Sequence, residues 1–239
     1  MNRDYYKYYH FLELNHWWHQ ARLKILENIL KNYVKSNLKI LNIGSCTGET
    51  SLMLNRFGEV TSLEYDEETY NYLSINKKIN AVRGDAQNLD FKNDQFDLIC
   101  CFDVLEHIED DFKALREIRR CLKLNGLLFL SVPSYKFLWS SHDVQMHHYR
   151  RYSSREICSL IINARLNIVR SSYFNFFLLV PIIIFRSIKK LFKIKSGNDY
   201  SIPPYIINKI LFFVFYSESY LLKIFNFPFG VSNFVLAKK

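Results

Sequence analysis

Three histidines and an aspartate in this chain have the residue types and placement to move a proton. In VPSYKFLWSSHDVQMHHYRRYSSREI, residues 132–157, His142 stands beside Asp143 and His148 follows, while His107 closes an earlier Leu-Glu-His. A hydroxyl that attacks an electrophile must lose its proton. An imidazole titrating near neutrality and oriented by a carboxylate is suited to take it. His142, His148 and His107 all fit that role, with Asp143 as the orienting acid. Plainer readings use the same residues: Asp143 with Arg150 or Arg151 makes an ion pair that holds a loop together. Irregular spacing and the lack of a companion cysteine cluster argue against a metal site, and none is assigned. Ser153 with Glu156 forms S-x-x-E, a capping box that starts a helix, and is read as structural.

A second constellation is built from glycines and acids. KILNIGSCTGET, residues 39–50, runs from an apolar stretch through Gly44, Ser45, Cys46, Thr47 and Gly48 into a helix-compatible segment. Glycines let a ligand approach the backbone, and free N–H groups at a helix start favour an anion or carboxylate. Alone, this is also the outline of a plain tight turn. Further acids follow at matching places. Glu64, next to Tyr65, ends the apolar run of VTSLEYDEE. A carboxylate there, about 20 residues past the loop, can accept both hydroxyls of a ribose. Asp85 follows the next run in VRGDAQNLDF, where it can take an adenine amino group, with the Ala86 N–H facing a ring nitrogen. FDLICCFDVLEHIEDD ends another at a polar edge.

The elements that must position these residues alternate regularly. Strands are expected at 38–43, 59–64, 79–83, 96–102 and 126–132, with helices at 18–35, 48–56, 67–76 and 109–122. LKLNGLLFLSVP reads as a helix end, a turn and a fifth strand. The polar stretch 134–152 reads as a loop over the sheet edge, followed by a helix at 153–164 and a strand near 167–173. Such alternation predicts a parallel sheet with helices on both faces. Ligands then bind beyond the carboxyl ends of the strands, where strand order reverses.

With Glu64, Asp85-Ala86, Leu105-Glu106-His107 and Leu122–Gly126 in register behind Ile40–Gly48, the chain resembles the class I S-adenosylmethionine-dependent methyltransferases over roughly residues 18–174 and the final strand. The resemblance implies a Rossmann-like α/β fold: a seven-stranded, mostly parallel sheet with an antiparallel last strand. It implies S-adenosylmethionine as cofactor, with Gly44–Gly48 around the methionine part, Glu64 on the ribose and Asp85 on the adenine. Asp103 and Val104 would lie near the methyl-bearing side. ELNHWWHQARLKILENIL resembles a subgroup in which an aromatic pair and an arginine precede the core. There Arg22 would pair with the methionine carboxylate and Trp17 or Trp18 would wall the site, unless Arg22 is solvated on a packed helix. W-S-x-H-D and H-x-R-R-Y-S, here Trp139–Asp143 and His148–Ser153, resemble the lid of another such subgroup. The implied reaction is methyl transfer, preferably to oxygen. The rival is a methyltransferase-like partner subunit without catalysis; a dehydrogenase is disfavoured because G-x-G-x-x-G is absent.

The chain departs from the family pattern in places. Asn42 replaces the usual acid and Leu124-Asn125-Gly126 the usual Pro-Gly-Gly. Cys46 replaces the middle glycine and preserves the turn as long as that position needs no positive φ.

The expected organisation is an N-terminal helical cap at 1–36, the cofactor-binding core at 37–173, an apolar helical insertion at 174–228, and the final strand at 229–239. FNFFLLVPIIIF is too short for the ~20 residues of a membrane span. Pro181 argues against one long helix there. Lys189, Lys190, Lys193 and Lys195 follow this run and carry much of the net charge of +9. That pairing fits a helix resting on an anionic membrane surface beside a lipid-linked acceptor. A homodimer interface or a cover over a small-molecule acceptor pocket fits it too. Nucleic acid is disfavoured, since the basic residues sit beside apolar runs. Five cysteines without C-x-x-C spacing, and no secretory leader, lead to the expectation of a cytoplasmic protein, peripheral at most on the inner membrane face.

Overall fold

The computed structural model describes residues 3–75, 78–192 and 201–239. Its centre is β1 (Leu38–Ile43), whose run of apolar residues is buried on both faces. On one side β1 pairs in parallel with β2 (Gly58–Glu64), which pairs with β3 (Asn80–Arg83). On the other side β1 pairs in parallel with β4 (Phe96–Phe102), which pairs with β5 (Leu122–Pro133). The last strand, β7 (Ser232–Lys238), inserts antiparallel between β5 and β6 (Asn167–Phe174). The strand order is therefore 3-2-1-4-5-7-6, and it reverses between β1 and β4. The expected seven-stranded sheet with an antiparallel last strand is present.

The N-terminal residues form α1 (Arg3–Asn15) and α2 (Trp17–Leu30). α3 (Glu49–Leu54), α4 (Glu67–Ser74), α5 (Asp111–Cys121) and α7 (Ser154–Asn163) connect the strands. Short polar residues set their starts: Asp66 accepts from Thr69 N at 2.9 Å, and Asp110 from Lys113 N at 2.9 Å. Ser153 and Glu156 complete the capping box, Ser153 N donating to Glu156 at 2.7 Å. α5 and α7 cover one face of the sheet with Leu115, Ile118, Ile157 and Ile161. α2, α3 and α9 (Tyr205–Leu221) contribute Ile25, Leu54 and Phe215 to the other.

Two sequence expectations shift. The turn expected at Asn125-Gly126 lies inside β5, as an irregularity between the pairs Phe96↔Leu122 and Leu98↔Leu127, with Asn125 at φ 64°. The stretch 134–152 is not all loop. It holds a single 3₁₀ turn at Lys136–Leu138 and the short α6 (Ser141–Gln145).

Between β6 and β7 lie α8 (Leu179–Leu191) and α9. Pro181 is not where the apolar segment breaks: it sits in the first turn of α8, where a missing N–H is tolerated. α9 docks on α2 through Phe215, through Asn208, which accepts from Trp17 N at 2.9 Å, and through Lys24 over Phe212 at 5.0 Å. The outward sides keep Ile184, Phe185, Ile206, Ile210 and Phe213 exposed. Among the described residues no helix is long and apolar enough to cross a membrane. Lys193 and Lys195 lie outside the described residues. Cys100, Cys101 and Cys121 are buried, as expected for inert thiols, and Cys46 and Cys158 half-buried.

Candidate functional site

β1, β2, β3 and β4 end at the same sheet edge, and there a single cavity of about 1910 Å³ opens. Its walls include Arg22, Gly44, Ser45, Cys46, Glu64, Tyr65, Asp85, Ala86, Asp103, Val104, His107, His142 and His148. Trp17, Trp18, Leu178, Ile182 and Leu211 extend the same cavity under the apolar insertion. Gly48 heads α3. Thr47 and Asp143 lie buried just behind the surface.

The glycine loop needs its glycines for steric reasons. Gly44 has φ 70°, and a Cβ there would stand 2.5 Å from Val104 Cγ2; Gly48 has φ 98°. Cys46 also takes a positive φ, 53°. The condition set for it from sequence therefore fails: this position does use the left-handed region, which explains why glycine is usual there, and a cysteine bears the strain. Asn42 is buried and donates to Thr50 and Ser51, both at 2.8 Å, so it clamps β1 to α3.

Glu64 turns back onto this loop. Its Oε1 accepts from Cys46 N at 2.7 Å and Ser45 Oγ at 3.1 Å. Burial pushes its carboxyl up to about 7, against the pull of those hydrogen bonds. Asp85 accepts from Gln87 N at 2.8 Å, closing a turn at the end of β3. Tyr65 is exposed at the cavity mouth.

Arg22 is not solvated, as one of its readings had it. It is buried, with Nη2 2.5 Å from Asp103 Oδ2 and the guanidinium over Trp18. Asp103, at φ 55°, also accepts from Ser131 Oγ at 3.2 Å.

The candidate histidines are sorted by contacts that the sequence could not assign. Asp143 partners His148, at 2.9 Å from Nδ1, and not its neighbour His142. It also takes a two-pronged grip from Arg151, at 2.7 and 2.9 Å, while Arg150 goes to Asp111 at 2.9 Å. Burial alone would raise the Asp143 carboxyl; the hydrogen bonds from His148 and Arg151 outweigh it and hold the group well below the usual range. His107 packs edge-on to His148, ring centres 4.5 Å apart. Burial, reinforced by His148, pushes His107 down to about 4, so its imidazole is neutral near pH 7.

Several residues at the cavity were not singled out from sequence. Tyr9, Glu13 and His19 reach it from α1 and α2. Glu106 is 1% exposed, and burial, then the neighbouring Asp103 carboxylate, pushes it well above the usual range. The acid-histidine pair just past the end of a strand was its available signal.

Comparison with known proteins points to the same fold. Residues 41–130 match a family model described as a methyltransferase domain. Demethylmenaquinone methyltransferase of Staphylococcus haemolyticus is 31% identical over 114 residues, 43% of this chain and 46% of that one. A chloroplastic 2-methyl-6-phytyl-1,4-hydroquinone methyltransferase of Oryza sativa is 28% identical over 141 residues, 56% of this chain and 42% of that one. The chain thus spans less than half the length of these curated relatives. A putative methyltransferase solved in complex with the Haloferax volcanii Trm112 methyltransferase activator superposes with TM-score 0.62 at 16% identity, covering 95% of this chain and 91% of that one.

Proposed function

We propose that the protein is a class I S-adenosylmethionine-dependent methyltransferase, as the match of residues 41–130 to a methyltransferase-domain model supports, and that it transfers a methyl group to an oxygen of an acceptor with a sizeable apolar part. The observation that carries the reading is the continuity of one cavity from the glycine loop and Glu64, past the lid histidines, to the apolar side chains of the insertion.

The residues present fit the cofactor. The missing Cβ at Gly44 lets Val104 pack against the loop at the cavity wall, where a ligand can approach the backbone of Gly44, Ser45 and Cys46. Glu64 is a buried carboxyl whose donors among the described residues belong to that loop. Glu64 would take the ribose hydroxyls, Asp85 and Ala86 the adenine, and the loop amides with Arg22 the methionine end. When bound, the sulfonium supplies an already activated methyl group.

The chain's task is then to align the acceptor, exclude water and remove one proton. Trp17, Trp18 and Trp139 supply apolar walls beside the polar cluster. His107, His142 and His148 line the end where an acceptor hydroxyl would shed its proton, and Asp143 fixes the orientation of His148. The two named relatives act, by their names, on a demethylmenaquinone and on a phytyl-bearing hydroquinone, which supports an acceptor with an apolar part. Ring methylation of such acceptors is at carbon, so the choice of oxygen rests on the histidines at the cavity alone. The exposed apolar residues of α8 and α9 fit a surface where such an acceptor is collected from a lipid layer.

Calorimetry with S-adenosylmethionine and with its demethylated product tests the first step. Micromolar binding is expected. Absence of both heat and thermal protection would leave the partner-subunit reading instead.

A further inference from the structure

Three side chains at the acceptor end form a set that proton transfer alone does not explain. A carboxylate oxygen of Glu106, a ring nitrogen of His107 and one of His148 all lie within 4.8 Å of one another. Glu106 is almost fully buried, and neither of its oxygens has a hydrogen-bond partner among the described residues. A buried carboxyl with no donor is costly if charged, and if protonated its O–H has no acceptor. The surrounding charges do not settle the matter. Arg22 already faces Asp103 at 2.5 Å, and Arg151 is gripped by Asp143.

The His148 imidazole is prepared in the way metal ligands are. Metal-binding histidines hold one ring nitrogen with a carboxylate or a backbone carbonyl, which fixes the tautomer and aims the other nitrogen. His148 Nδ1 is held by Asp143 at 2.9 Å, and the His107 ring packs edge-on against the His148 ring, ring centres 4.5 Å apart. His148 therefore has its second nitrogen to offer, and the cluster takes one nitrogen from each ring. Two imidazoles and one carboxylate suit a first-row divalent cation better than magnesium or calcium, which prefer oxygen donors. With bonds of about 2.0–2.1 Å in tetrahedral array, the donor atoms would close to about 3.3 Å apart, a movement within side-chain rotation.

We propose that Glu106, His107 and His148 bind a divalent transition-metal cation, with Asp143 orienting His148 and with the remaining coordination position open to the cavity. Metal binding stands on the three ligands alone. Its use, to hold an acceptor oxygen and lower that oxygen's proton affinity, rests on the methyltransferase reading.

The test is Co²⁺ titrated into the untagged, chelator-treated full chain and followed by its visible d–d absorption. The expected result is one Co²⁺ per chain, displaced by Zn²⁺. Affinity should fall at least about 100-fold in Glu106→Gln and about 10- to 100-fold in Asp143→Asn, the size of a ligand's and an orienting partner's contribution. X-ray absorption on the Co²⁺-loaded wild type, which needs no variant to fold, should count two imidazoles in the first shell. No stoichiometric uptake, fewer than two imidazoles, or undiminished binding in a folded Glu106→Gln overturns the proposal. A chain that binds S-adenosylmethionine but no metal removes this inference and leaves the function above; the converse removes only the function.

Discussion

Replacing Glu64 with glutamine should move stability and cofactor affinity in opposite directions. The carboxyl is 7% exposed, and burial pushes its pKa from 4.5 up to about 7. A shift of that size corresponds to roughly 3 kcal/mol. The folded state holds the proton more tightly than the unfolded chain. The contribution is therefore fully present below about pH 4.5 and is lost as pH rises through about 7. Glutamine keeps an oxygen for Cys46 N and carries no charge, so it erases this slope. Above pH 8, Glu64→Gln should be more stable than wild type by up to about 3 kcal/mol. That is a rise in Tm of roughly 6–12 °C for a chain of this size. Near pH 4 the gap should close. Glu13, pushed by burial to about 8, and Glu218, to about 7, titrate with the same sign in both proteins. The difference between the two pH profiles reports Glu64 together with the smaller part of the Glu13 shift that the Glu64 charge causes. Affinity for S-adenosylmethionine should meanwhile drop about 5- to 30-fold, because ribose hydroxyls lose a charged acceptor. Misfolding cannot give a tighter fold with weaker binding. Parallel pH profiles of urea unfolding, or unchanged calorimetric affinity, would refute the assignment of Glu64.

Other perturbations separate the remaining parts. Gly48→Ala places a Cβ 2.2 Å from Ile79 Cδ1 at φ 98°, and should cost about 2–4 kcal/mol in urea unfolding and abolish saturable cofactor binding. A variant that unfolds and binds like wild type would remove the steric account of the loop. Asp143→Ala strands Arg151, which is 4% exposed, and should cost roughly 3–5 kcal/mol. Adding Arg151→Met should recover part of that loss, whereas strictly additive costs would show that the two do not act as a pair. Flotation with anionic vesicles at low salt should carry the wild type upward, and Ile206→Glu with Phe213→Glu should abolish it. Failure of the wild type to float ends the membrane-surface reading of α8 and α9.

What the sequence made legible follows physical periodicity. β1, β2 and β4 are apolar runs closed by a glycine or an acid, and that pattern alone puts Gly44, Glu64 and Asp103 at one edge. Capping at Asp66, Asp110 and Ser153 depends on residues three apart, so it too can be read locally. Pairings across long separations cannot. Nothing near Asp143 in the chain distinguishes His142 from His148, because the choice depends on how α6 turns. Glu106 was visible beside His107, but its lack of partners is a property of the packed interior. The left-handed backbone at Cys46 is hidden for another reason. Cysteine carries no preference for that conformation, so only the surrounding loop enforces it.

That last point extends around the whole site. The chain leaves β1 through Gly44 and Cys46, β4 through Asp103, and β5 through Tyr135, every one at positive φ. Other non-glycine residues in that region include asparagine turns, at Asn37, Asn125 and Asn175, where the side chain tolerates it. Cysteine and tyrosine do not, and each such residue costs on the order of 1–3 kcal/mol. The cost is borne by sheet packing behind it: Ile40, Leu98, Phe129 and Phe234 are fully buried beneath the strained edge. Each sharp exit directs the residues that follow across the strand ends instead of along them. In this way Val104, Glu106 and His107 reach the same cavity as the glycine loop. The left-handed exits at Cys46 and Asp103 are thus part of how the glycine loop and the Val104–His107 turn come to share one cavity.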